Sequence, residues 1–412
     1  MSIDVKMAWR NIWRNPRRTM LTICAIAFAS LLLVFMLSFQ FGSYETMINT
    51  SVKIHTGHLQ IHAHEYLKKK SIRQVVSEPQ EIAHLLQTIP KIEAYTFRGQ
   101  AFSLISSKER TYGVAVTGID PEREATVSRL KSSVREGEFL AESDKDQALV
   151  GKLLAKNLHI TPGDEVTLLG QGRDGSIAAT VVSVKGIYSS GIDEIDRASI
   201  HIPLKTFQEI YAMGNAIHEA VIIVESLSDV DAIKRSLNVK LQSQNPDNPL
   251  TAVDWEELMP GLRQSIEMDL VSGLIFYLLL IIVVAFSILN TFLMAIFERT
   301  KEFGVLMAIG TTPERLTKVL LIESMTMTSV GTSAGIIIGS LITIYFQSRG
   351  IDISGASDLL SQFGITGRIY PKLSWISAIS GPLAVLIITF FAALYPALKI
   401  KKMRPVEAMR AV

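Results

Sequence analysis

Four stretches of the chain carry no charged side chain, and each is long enough to cross a lipid bilayer as a helix. They run over residues 19–44, 271–297, 324–347 and 373–398. A helix needs about 20 mainly apolar residues to cross a hydrocarbon layer roughly 30 Å thick. With a few flanking residues added, we predict membrane helices over 19–44, 269–297, 316–347 and 373–398.

A secretory signal peptide is the alternative for the first stretch. Its apolar core would span about 7–15 residues and would be followed by a cleavage site made of small residues. Here the apolar run is longer and ends in Phe39-Gln-Phe41-Gly-Ser-Tyr44. This pattern favours an anchor that is not cleaved.

Residues 45–268 combine strand and helix patterns. A strand, a helix and a strand are predicted in turn over His58–His62, Pro79–Ile89 and Ala94–Ile105. The same order returns near the end, from the strand at Ala220–Glu225 to the strand at Leu250–Val253. We therefore predict one α+β subdomain built from both halves.

An insertion at about 107–217 interrupts this subdomain and is rich in strand patterns. It contains four predicted strands, at Ala148–Val150, Glu165–Leu169, Ile177–Tyr188 and Ser199–Ile202, and one short predicted helix at Lys152–Leu158. The domain is attached to the first two membrane helices, so movement of those helices should move it.

Lysine and arginine cluster at three places beside the predicted membrane helices. These places are residues 1–18, 298–318 and 399–412. With four spans all three lie on the same side, and the positive-inside rule makes that side the cytoplasm. The loop 348–372 and the large domain 45–268 are then extracytoplasmic. Residues 1–18, with Trp9 and Trp13 among basic side chains, predict an amphipathic helix on the inner membrane face, either as a simple anchor or as a specific contact.

Composition agrees with a membrane protein. The 412 residues are 48% hydrophobic and only 19% charged, and the mean hydropathy is +0.29. A net charge of +2 gives no argument for a nucleic-acid partner. Because Cys24 is the only cysteine, an intramolecular disulfide and a cysteine-based metal site are excluded.

Two glycine motifs bear on nucleotide chemistry. Gly170-Gln-Gly172-Arg-Asp-Gly175 matches the dinucleotide fingerprint in letters, but that fingerprint must open a helix, and a strand pattern follows here. A glycine-rich hairpin turn is the better interpretation. No G-x-x-x-x-G-K-[ST] motif occurs in the sequence, so ATP hydrolysis through a P-loop in these residues is excluded.

Four histidines lie close together, at positions 55, 58, 62 and 64, and the last three share strand parity. Two of them could bind a metal from one face, but no carboxylate partner stands out. A solvated strand surface is the alternative that we favour, and we expect no metal site.

Three glycines spaced four apart, Gly331, Gly335 and Gly339, form a stripe on the third membrane helix. Such a stripe lets another helix approach closely, either from the same chain or across a dimer. Glu323 lies near the start of this helix, where a carboxylate is costly unless it is paired. Arg315 and Lys318 are its candidate partners.

The segment between the second and third spans, together with other motifs, resembles the FtsX-like permease family of ABC transporters. The motifs are Ala8-Trp-Arg-Asn11, Asn290-Thr, Phe297-Glu-Arg-Thr-Lys-Glu302, Gly304-Val-Leu-Met-Ala-Ile-Gly310, Leu321-Ile-Glu323, Tyr395-Pro-Ala-Leu-Lys399 and Arg404-Pro-Val-Glu-Ala408. Within that family the chain is most similar to the lipoprotein-releasing LolC/LolE group. That similarity is carried by Thr56-Gly-His-Leu-Gln-Ile61, Gly118-Ile-Asp-Pro121, Gly137-Glu-Phe-Leu140 and Gly186-Ile-Tyr-Ser-Ser-Gly191.

The resemblance implies a non-catalytic permease subunit in a homo- or heterodimer, bound to a dimer of a separate cytoplasmic ATPase that uses ATP and Mg. Because the sequence begins directly with the anchor, we expect that ATPase to be a different chain. It also implies a large domain made of a porter-like subdomain and an inserted subdomain. Residues 298–315 would form a coupling helix and turn on the ATPase, with charges at the rim and an apolar plug of Phe303, Val305, Leu306 and Met307. The residues expected to couple are Glu298, Arg299, Lys301, Glu302, Phe303, Gly304, Leu306, Met307 and Gly310.

The leading functional prediction is release of lipoproteins from the bacterial inner membrane to a periplasmic carrier. Acyl chains would need an apolar chamber between the first two spans, with candidate lining residues Phe28, Phe35, Phe39, Met268, Phe276 and Leu280. MacB-like efflux through an adaptor and an outer-membrane duct is one alternative. FtsX-like mechanotransmission to a cell-wall hydrolase is another.

Overall fold

The computed structural model describes residues 3–108, 110–244, 249–352 and 368–401. These residues divide into two units. The membrane unit comprises 3–44, 265–352 and 368–401, and the large domain comprises 45–108, 110–244 and 249–264. The boundaries between the two fall inside two long helices. The predicted tail motif Arg404–Ala408 lies outside the described residues.

The helices are numbered in chain order. They are α1 Ile3–Ile12, α2 Pro16–Val52, α3 Tyr66–Lys69, α4 Pro79–Gln87, α5 Pro121–Val127, α6 Leu130–Ser133, α7 Lys152–Leu158, α8 Asp193–Ala198, α9 Leu204–Ile210, α10 Val230–Gln244, α11 Trp255–Leu258, α12 Pro260–Glu298, α13 Thr300–Ala308, α14 Pro313–Arg349 and α15 Trp375–Lys401. A 3₁₀ turn at Leu227–Asp229 precedes α10.

The strands are numbered in the same way. They are β1 Leu59–Ala63, β2 Ile92–Ser106, β3 Thr111–Ile119, β4 Val134–Gly137, β5 Gln147–Gly151, β6 Glu165–Gln171, β7 Ile177–Tyr188, β8 Ser199–Pro203, β9 Glu219–Val224, β10 Leu250–Asp254, β11 Ile351–Asp352 and β12 Arg368–Ile369. The last two pair with each other in the membrane unit.

Four helices, α2, α12, α14 and α15, are long and apolar enough to cross a membrane, which confirms the predicted fold class. The first three run for 37, 39 and 37 residues. At 1.5 Å per residue each is longer than the hydrocarbon layer. Helices α2 and α12 extend beyond the predicted ends at Tyr44 and Asp269, because helix formation does not stop where charged residues begin. Apolar side chains from α1, α2, α12, α14 and α15 meet in one core that includes Ile26, Phe292 and Met327.

The first part of the large domain is the predicted α+β subdomain. Its strands lie in the order β10-β1-β9-β2, and all neighbours are antiparallel. This is the split β-α-β arrangement, in which the two strands of each strand-helix-strand unit are separated by one strand of the other unit. Helices α4 and α10 cover the sheet, and Leu86 and Leu237 are fully buried in this core.

The predicted insertion is present but does not form a separate sheet. Strand β2 continues from β9 to β3, and β8, β5, β7 and β4 follow in one ten-stranded sheet, with β6 pairing β2 and β7. The insertion has its own core, which contains Val150 and Val182. Val75, from the first half of the domain, also packs there.

Two glycines create a slot where the subdomains meet. Gly99 of β2 pairs with Gly118 of β3, and a Cβ on either would lie 2.3–2.4 Å from atoms of Phe207. The Phe207 ring is fully buried and extends from α9. Only glycine at both positions leaves room for this ring against the sheet.

The fingerprint-like glycines form a hairpin turn, as predicted. Strands β6 and β7 pair antiparallel from Glu165–Ser183 to Gln171–Ile177. Gly175 has a φ of +91°, a backbone conformation that glycine adopts without strain. No helix starts there, so this segment does not have the geometry of a dinucleotide site.

Candidate functional site

The short helix α13 is the centre of the predicted coupling segment. It begins after Arg299, ends at Ala308 and is followed by Gly310, whose φ of +100° turns the chain. Thr312 then caps α14, because its hydroxyl accepts a hydrogen bond from the Arg315 amide at 3.4 Å. Residues 298–315 thus fold as a helix, a turn and a capped helix start.

The prediction that Phe303 and Met307 form an outward apolar plug is wrong. Both are buried, at 2% and 8% exposure, and pack with Leu316 and Leu320 of α14. Leu306 packs against the same cluster, and Gly304 is buried as well. Helix α13 has apolar residues around its circumference, so either of two faces could pack inside the protein. The face with Phe303 and Met307 is the one that packs against α14.

The face of α13 that remains exposed has a different composition. Val305 is 53% exposed and Ile309, just after the helix, is 74% exposed. Lys301 and Ala308 are exposed beside them. Positions 301, 305 and 308 share one side of a helix. This surface, which we call the α13 face, is an apolar patch with one lysine at its edge.

The charged residues around α13 pair within the chain. Arg14 donates to Glu302 Oε2 at 2.7 Å, and Arg18 contacts Glu298 Oε2 at 2.7 Å. The hydrogen bond from Arg14 lowers the pKa of Glu302 below its usual value. These pairs tie α13 and the end of α12 to the N-terminal segment. Most of the charged residues predicted to lie at the rim of the ATPase contact therefore form ion pairs within the membrane unit.

Glu323 is paired, but not with the predicted residues. Arg299 Nη1 lies 3.4 Å from Glu323 Oε2, and the two side chains are 13% and 7% exposed. Arg315 and Lys318 instead contact Asp4 of α1, at 3.0 and 3.8 Å. The sequence could not identify Arg299 as the partner, because it lies 24 residues before Glu323, whereas Arg315 and Lys318 lie on the same helix as the carboxylate.

Helix α1 also contributes an apolar side. Ala8 and Ile12 are buried, whereas Trp9 and Trp13 are each 48% exposed, with ring centroids 6.0 Å apart. The segment is thus amphipathic, as predicted. Its ion pairs with α13 and α14 make it a specific contact within the chain.

The glycine stripe of α14 packs against α2 of the same chain. A Cβ at Gly335 would lie 2.5 Å from Ala27 O and from Ser30 Cβ, and one at Gly331 would lie 2.8 Å from Ile26 Cβ. At Gly339 the nearest atoms, 3.2 Å away, belong to Leu31 and Val34 of α2. Of the two predicted alternatives, intramolecular packing is the one that the structure has.

The six residues predicted to line an acyl-chain chamber are not brought together in this chain. Phe35 stacks on Phe39 at 6.4 Å and meets Phe346 of α14 at 6.0 Å. Leu280 packs against the common helix core. The remaining three, which are Phe28, Met268 and Phe276, are 62%, 69% and 71% exposed.

Polar side chains connect α2 and α12 near one end. The Tyr44 hydroxyl donates to Asp269 Oδ2 at 2.5 Å, and the Tyr277 hydroxyl donates to Gln40 Oε1 at 2.7 Å. Gln40 Nε2 also donates to Tyr44 at 2.6 Å. These bonds fasten the two helices to each other.

The favoured interpretation of the clustered histidines as a solvated strand surface is wrong for His58 and His62, because β1 is buried within the sheet. His58 is buried, contacts Asn49 Oδ1 at 2.9 Å and accepts the Val224 amide at 3.1 Å. Burial lowers the pKa of His58 to about 4. His62 packs on Tyr66 with ring centroids 5.7 Å apart. In the part of the chain that the structure describes, no group of three or more histidine, cysteine or acidic residues could hold a metal ion.

An exposed apolar sheet face lies on the inserted subdomain. Leu104 pairs with Leu169 across β2 and β6, and both are exposed. Phe102, Ile177 and Val181 lie on the same side by strand parity, at 74%, 81% and 49% exposure. We call these five residues the β6–β7 face. Exposed apolar patches of this kind mark sites of contact with other molecules.

Comparison with known proteins agrees with these features. The model of the FtsX-like permease C-terminal family matches residues 274–405. That of the MacB-like periplasmic core domain matches 19–239, more than half of the chain.

Two curated relatives are lipoprotein-releasing system transmembrane proteins. LolC of Xylella fastidiosa is 24% identical over 315 residues, which are 73% of this chain and 74% of the relative. LolE of Haemophilus influenzae is 20% identical over 340 residues, 80% of each. The crystal structure of the periplasmic region of MacB from Actinobacillus actinomycetemcomitans aligns at 16% identity with a TM-score of 0.39. The alignment covers 53% of this chain and 97% of the MacB chain in that structure.

The membrane helices, the α+β domain and both family matches are consistent with one another. The chain therefore belongs to the FtsX-like permease family of ABC transporters, as a bacterial inner-membrane protein whose periplasmic domain is of the MacB-like core type.

Proposed function

We propose that this chain is the membrane subunit of a transporter that releases lipoproteins from the inner membrane to a periplasmic carrier. The observation that carries this proposal is that relatives with this printed role match along most of their length and most of this chain, 74% and 73% for the Xylella protein. A separate ATPase in the cytoplasm supplies the energy and binds the ATP and Mg. This chain has no catalytic role of its own in the proposal.

The α13 face is where the ATPase docks. An exposed apolar patch of Val305 and Ile309, edged by Lys301, has the composition of a small docking surface. The positive clusters of the sequence support a cytoplasmic location for this face. Phe303 and Met307 then act indirectly, because their packing on Leu316 and Leu320 connects α13 to α14.

A second permease subunit completes the membrane part. Helix α12 presents a continuous exposed apolar stripe of Phe276, Leu279, Val283 and Phe286, at 71%, 53%, 67% and 67% exposure. A partner subunit that covers this stripe would enclose Phe276 and Met268 in a shared chamber for acyl chains. The dimer is either homomeric or heteromeric in this proposal.

The β6–β7 face is the surface that receives the carrier. A protein that accepts acyl chains has apolar surface around its binding site, and apolar surfaces associate when they leave water. Ile177, at 81% exposure, is the residue of this face most available to such a contact.

The decisive experiment reconstitutes this chain, its partner subunit and the ATPase in liposomes with a triacylated lipoprotein. With ATP and a soluble carrier present, we expect the lipoprotein to leave the membrane and appear in the supernatant. Ile177→Asp should reduce transfer to the carrier while ATPase activity remains. Lipoprotein that stays in the liposomes while the complex hydrolyses ATP would exclude lipoprotein release.

ATPase docking has its own test. Val305→Asp combined with Ile309→Asp should abolish co-purification of the ATPase, because two charges would be buried at the contact. Val239→Asp on α10 is the matched control, since Val239 is 70% exposed but belongs to the large domain. Equal recovery of the ATPase by all variants would remove the α13 face from the proposal.

Efflux is the second candidate, supported by the match to the MacB-like core domain over residues 19–239. It requires an adaptor protein and an outer-membrane duct in place of a carrier. Activation of a cell-wall hydrolase, the third alternative, requires no transport at all. Co-purification from the native membrane with a carrier, an adaptor or a hydrolase regulator distinguishes the three.

A further inference from the structure

A polar cavity of about 300 Å³ lies within the large domain. Its walls come from the segment after α2, from α5, α6 and β4, and from β7, α8 and β8. The lining side chains with polar groups include Arg129, Arg135, Glu124, His55, His201 and the serines at 132, 133, 189 and 190. We call it the Arg129 cavity.

Two lining arginines have no acidic partner. Arg129 and Arg135 are exposed, and no carboxylate lies within ion-pair distance of either among the residues that the structure describes. Lys131, between them in sequence, does not line the cavity. The mouth of the cavity therefore carries two positive charges that no ion pair neutralises.

The carboxylate in the wall does not cancel these charges. Glu124 is held by Arg98 through two hydrogen bonds, from Nη2 at 2.6 Å and from Nε at 2.9 Å. The two side chains are 1–2% exposed. Arg98 thus neutralises Glu124. Behind the wall, Asp196 accepts hydrogen bonds from the lining residues Ser189 and Ser190, so one negative charge stands against the two positive charges of Arg129 and Arg135.

One buried polar atom in the wall lacks a partner. His201 is 5% exposed, and its Nδ1 makes no hydrogen bond. A buried polar atom without a partner costs free energy, so such atoms in native proteins usually contact a water or a ligand. His201 lines the cavity, but its Nδ1 atom is buried behind the wall and out of reach of a ligand there.

We propose that the Arg129 cavity binds a glycerophosphate-sized anion, with Arg129 and Arg135 as the phosphate ligands. Guanidinium groups bind phosphate oxygens through paired N–H donors and are the preferred cation for this purpose. A volume of about 300 Å³ is at the lower end for ligand pockets, enough for a phosphate with a small polyol. The four serine hydroxyls of the wall donate to oxygens of the protein, so they are left to accept hydrogen bonds from the hydroxyls of such a polyol.

The same chemistry has two sources, a phospholipid headgroup and a soluble phosphate ester. Ile54 and His55, which line the cavity, follow α2 directly in the chain after Val52. The experiment therefore includes one arm for each source.

The soluble arm titrates full-length protein in neutral detergent with glycerol 3-phosphate by calorimetry. The lipid arm uses native mass spectrometry of the same protein with phosphatidylglycerol or with uncharged diacylglycerol. Variants are Arg129→Ala with Arg135→Ala, and Lys131→Ala as the control, which removes a neighbouring positive charge outside the cavity. In a background where Trp9, Trp13 and Trp375 are replaced by Phe, fluorescence melts of Trp255 check that the large domain remains folded.

Binding in the soluble arm that the double variant weakens by about tenfold or more identifies a phosphate ester. Retention of one phosphatidylglycerol, but no diacylglycerol, that the double variant loses identifies a headgroup. In both cases Lys131→Ala should bind like the parent protein. The proposal is overturned if neither probe binds, or if Lys131→Ala weakens binding as much as the double variant.

Discussion

Replacement of Glu124 by Gln should strongly destabilise the large domain. The Arg98–Glu124 pair is 1–2% exposed, and both carboxylate oxygens accept hydrogen bonds, at 2.6 and 2.9 Å. Burial alone would raise the pKa of Glu124, but the charge and hydrogen bonds of Arg98 outweigh it and keep the pKa below the usual value. Both groups are therefore charged at neutral pH. With Gln, the Arg98 charge stays buried, and the acidic neighbour that remains is Glu219, whose own pKa is raised by burial.

Breaking a buried pair in this way costs about 3–5 kcal/mol. For a domain of this size 1 kcal/mol corresponds to roughly 2–4 °C in melting temperature, so a decrease of roughly 6–20 °C is expected. Glu142→Gln is the control, because the Lys205–Glu142 pair is 3.9 Å apart and 81% and 65% exposed. An exposed pair contributes about 1 kcal/mol or less.

Fluorescence of Trp255 measures this transition once Trp9, Trp13 and Trp375 are replaced by Phe, since Trp255 alone belongs to the large domain. The double variant Arg98→Met, Glu124→Leu should recover much of the lost stability, because it removes both charges. If Glu124→Gln melts within 1 °C or so of Glu142→Gln, the claim of an uncompensated buried charge is refuted.

Three further predictions concern packing, pH and the membrane unit. Gly335→Ala should lower thermal stability by about 1–3 kcal/mol through its clash with α2, whereas Gly261→Ala, whose Cβ would meet nothing within 4 Å, should not. Burial lowers the pKa of His201 from 6.5 to about 4; its neutral form then stabilises the fold above pH 6.5, and roughly 3 kcal/mol is lost as pH falls from about 6.5 to 4. When the melting temperature reported by Trp255 is plotted against pH, His201→Gln should flatten the curve between these pH values. An unchanged slope would contradict this. Arg299→Gln should decrease the melting temperature of the membrane unit, because Glu323 loses its partner at 3.4 Å; an unchanged melt would show that Glu323 is compensated elsewhere.

Much of the fold could be predicted because its signals are local. Uncharged runs identify the four long helices, and alternating patterns identify β5 to β8. The helix at Lys152–Leu158 was predicted with its observed bounds. In each case the pattern depends on neighbours within a few residues, which the sequence displays directly.

Features set by distant contacts could not be predicted in this way. Helix α13 is apolar on more than one side, so only packing against Leu316 and Leu320 determines that Phe303 and Met307 are inside. The partner of Glu323 required knowledge of which cation the helix bundle places beside it. Strand pairing is likewise non-local, which is why the continuity of the ten-stranded sheet was not foreseen.

That continuity has a mechanical consequence. Strand β2 is 15 residues long, about 50 Å at 3.3 Å per residue. It pairs with β9 over 92–98, with β3 over 98–106 and with β6 over 103–106. A pull along β2 loads these ladders in shear, so the two subdomains act as one stiff lever. Residues 99–102 pair with β3 on one side only, and any flexing of the lever should concentrate there, beside the ring of Phe207.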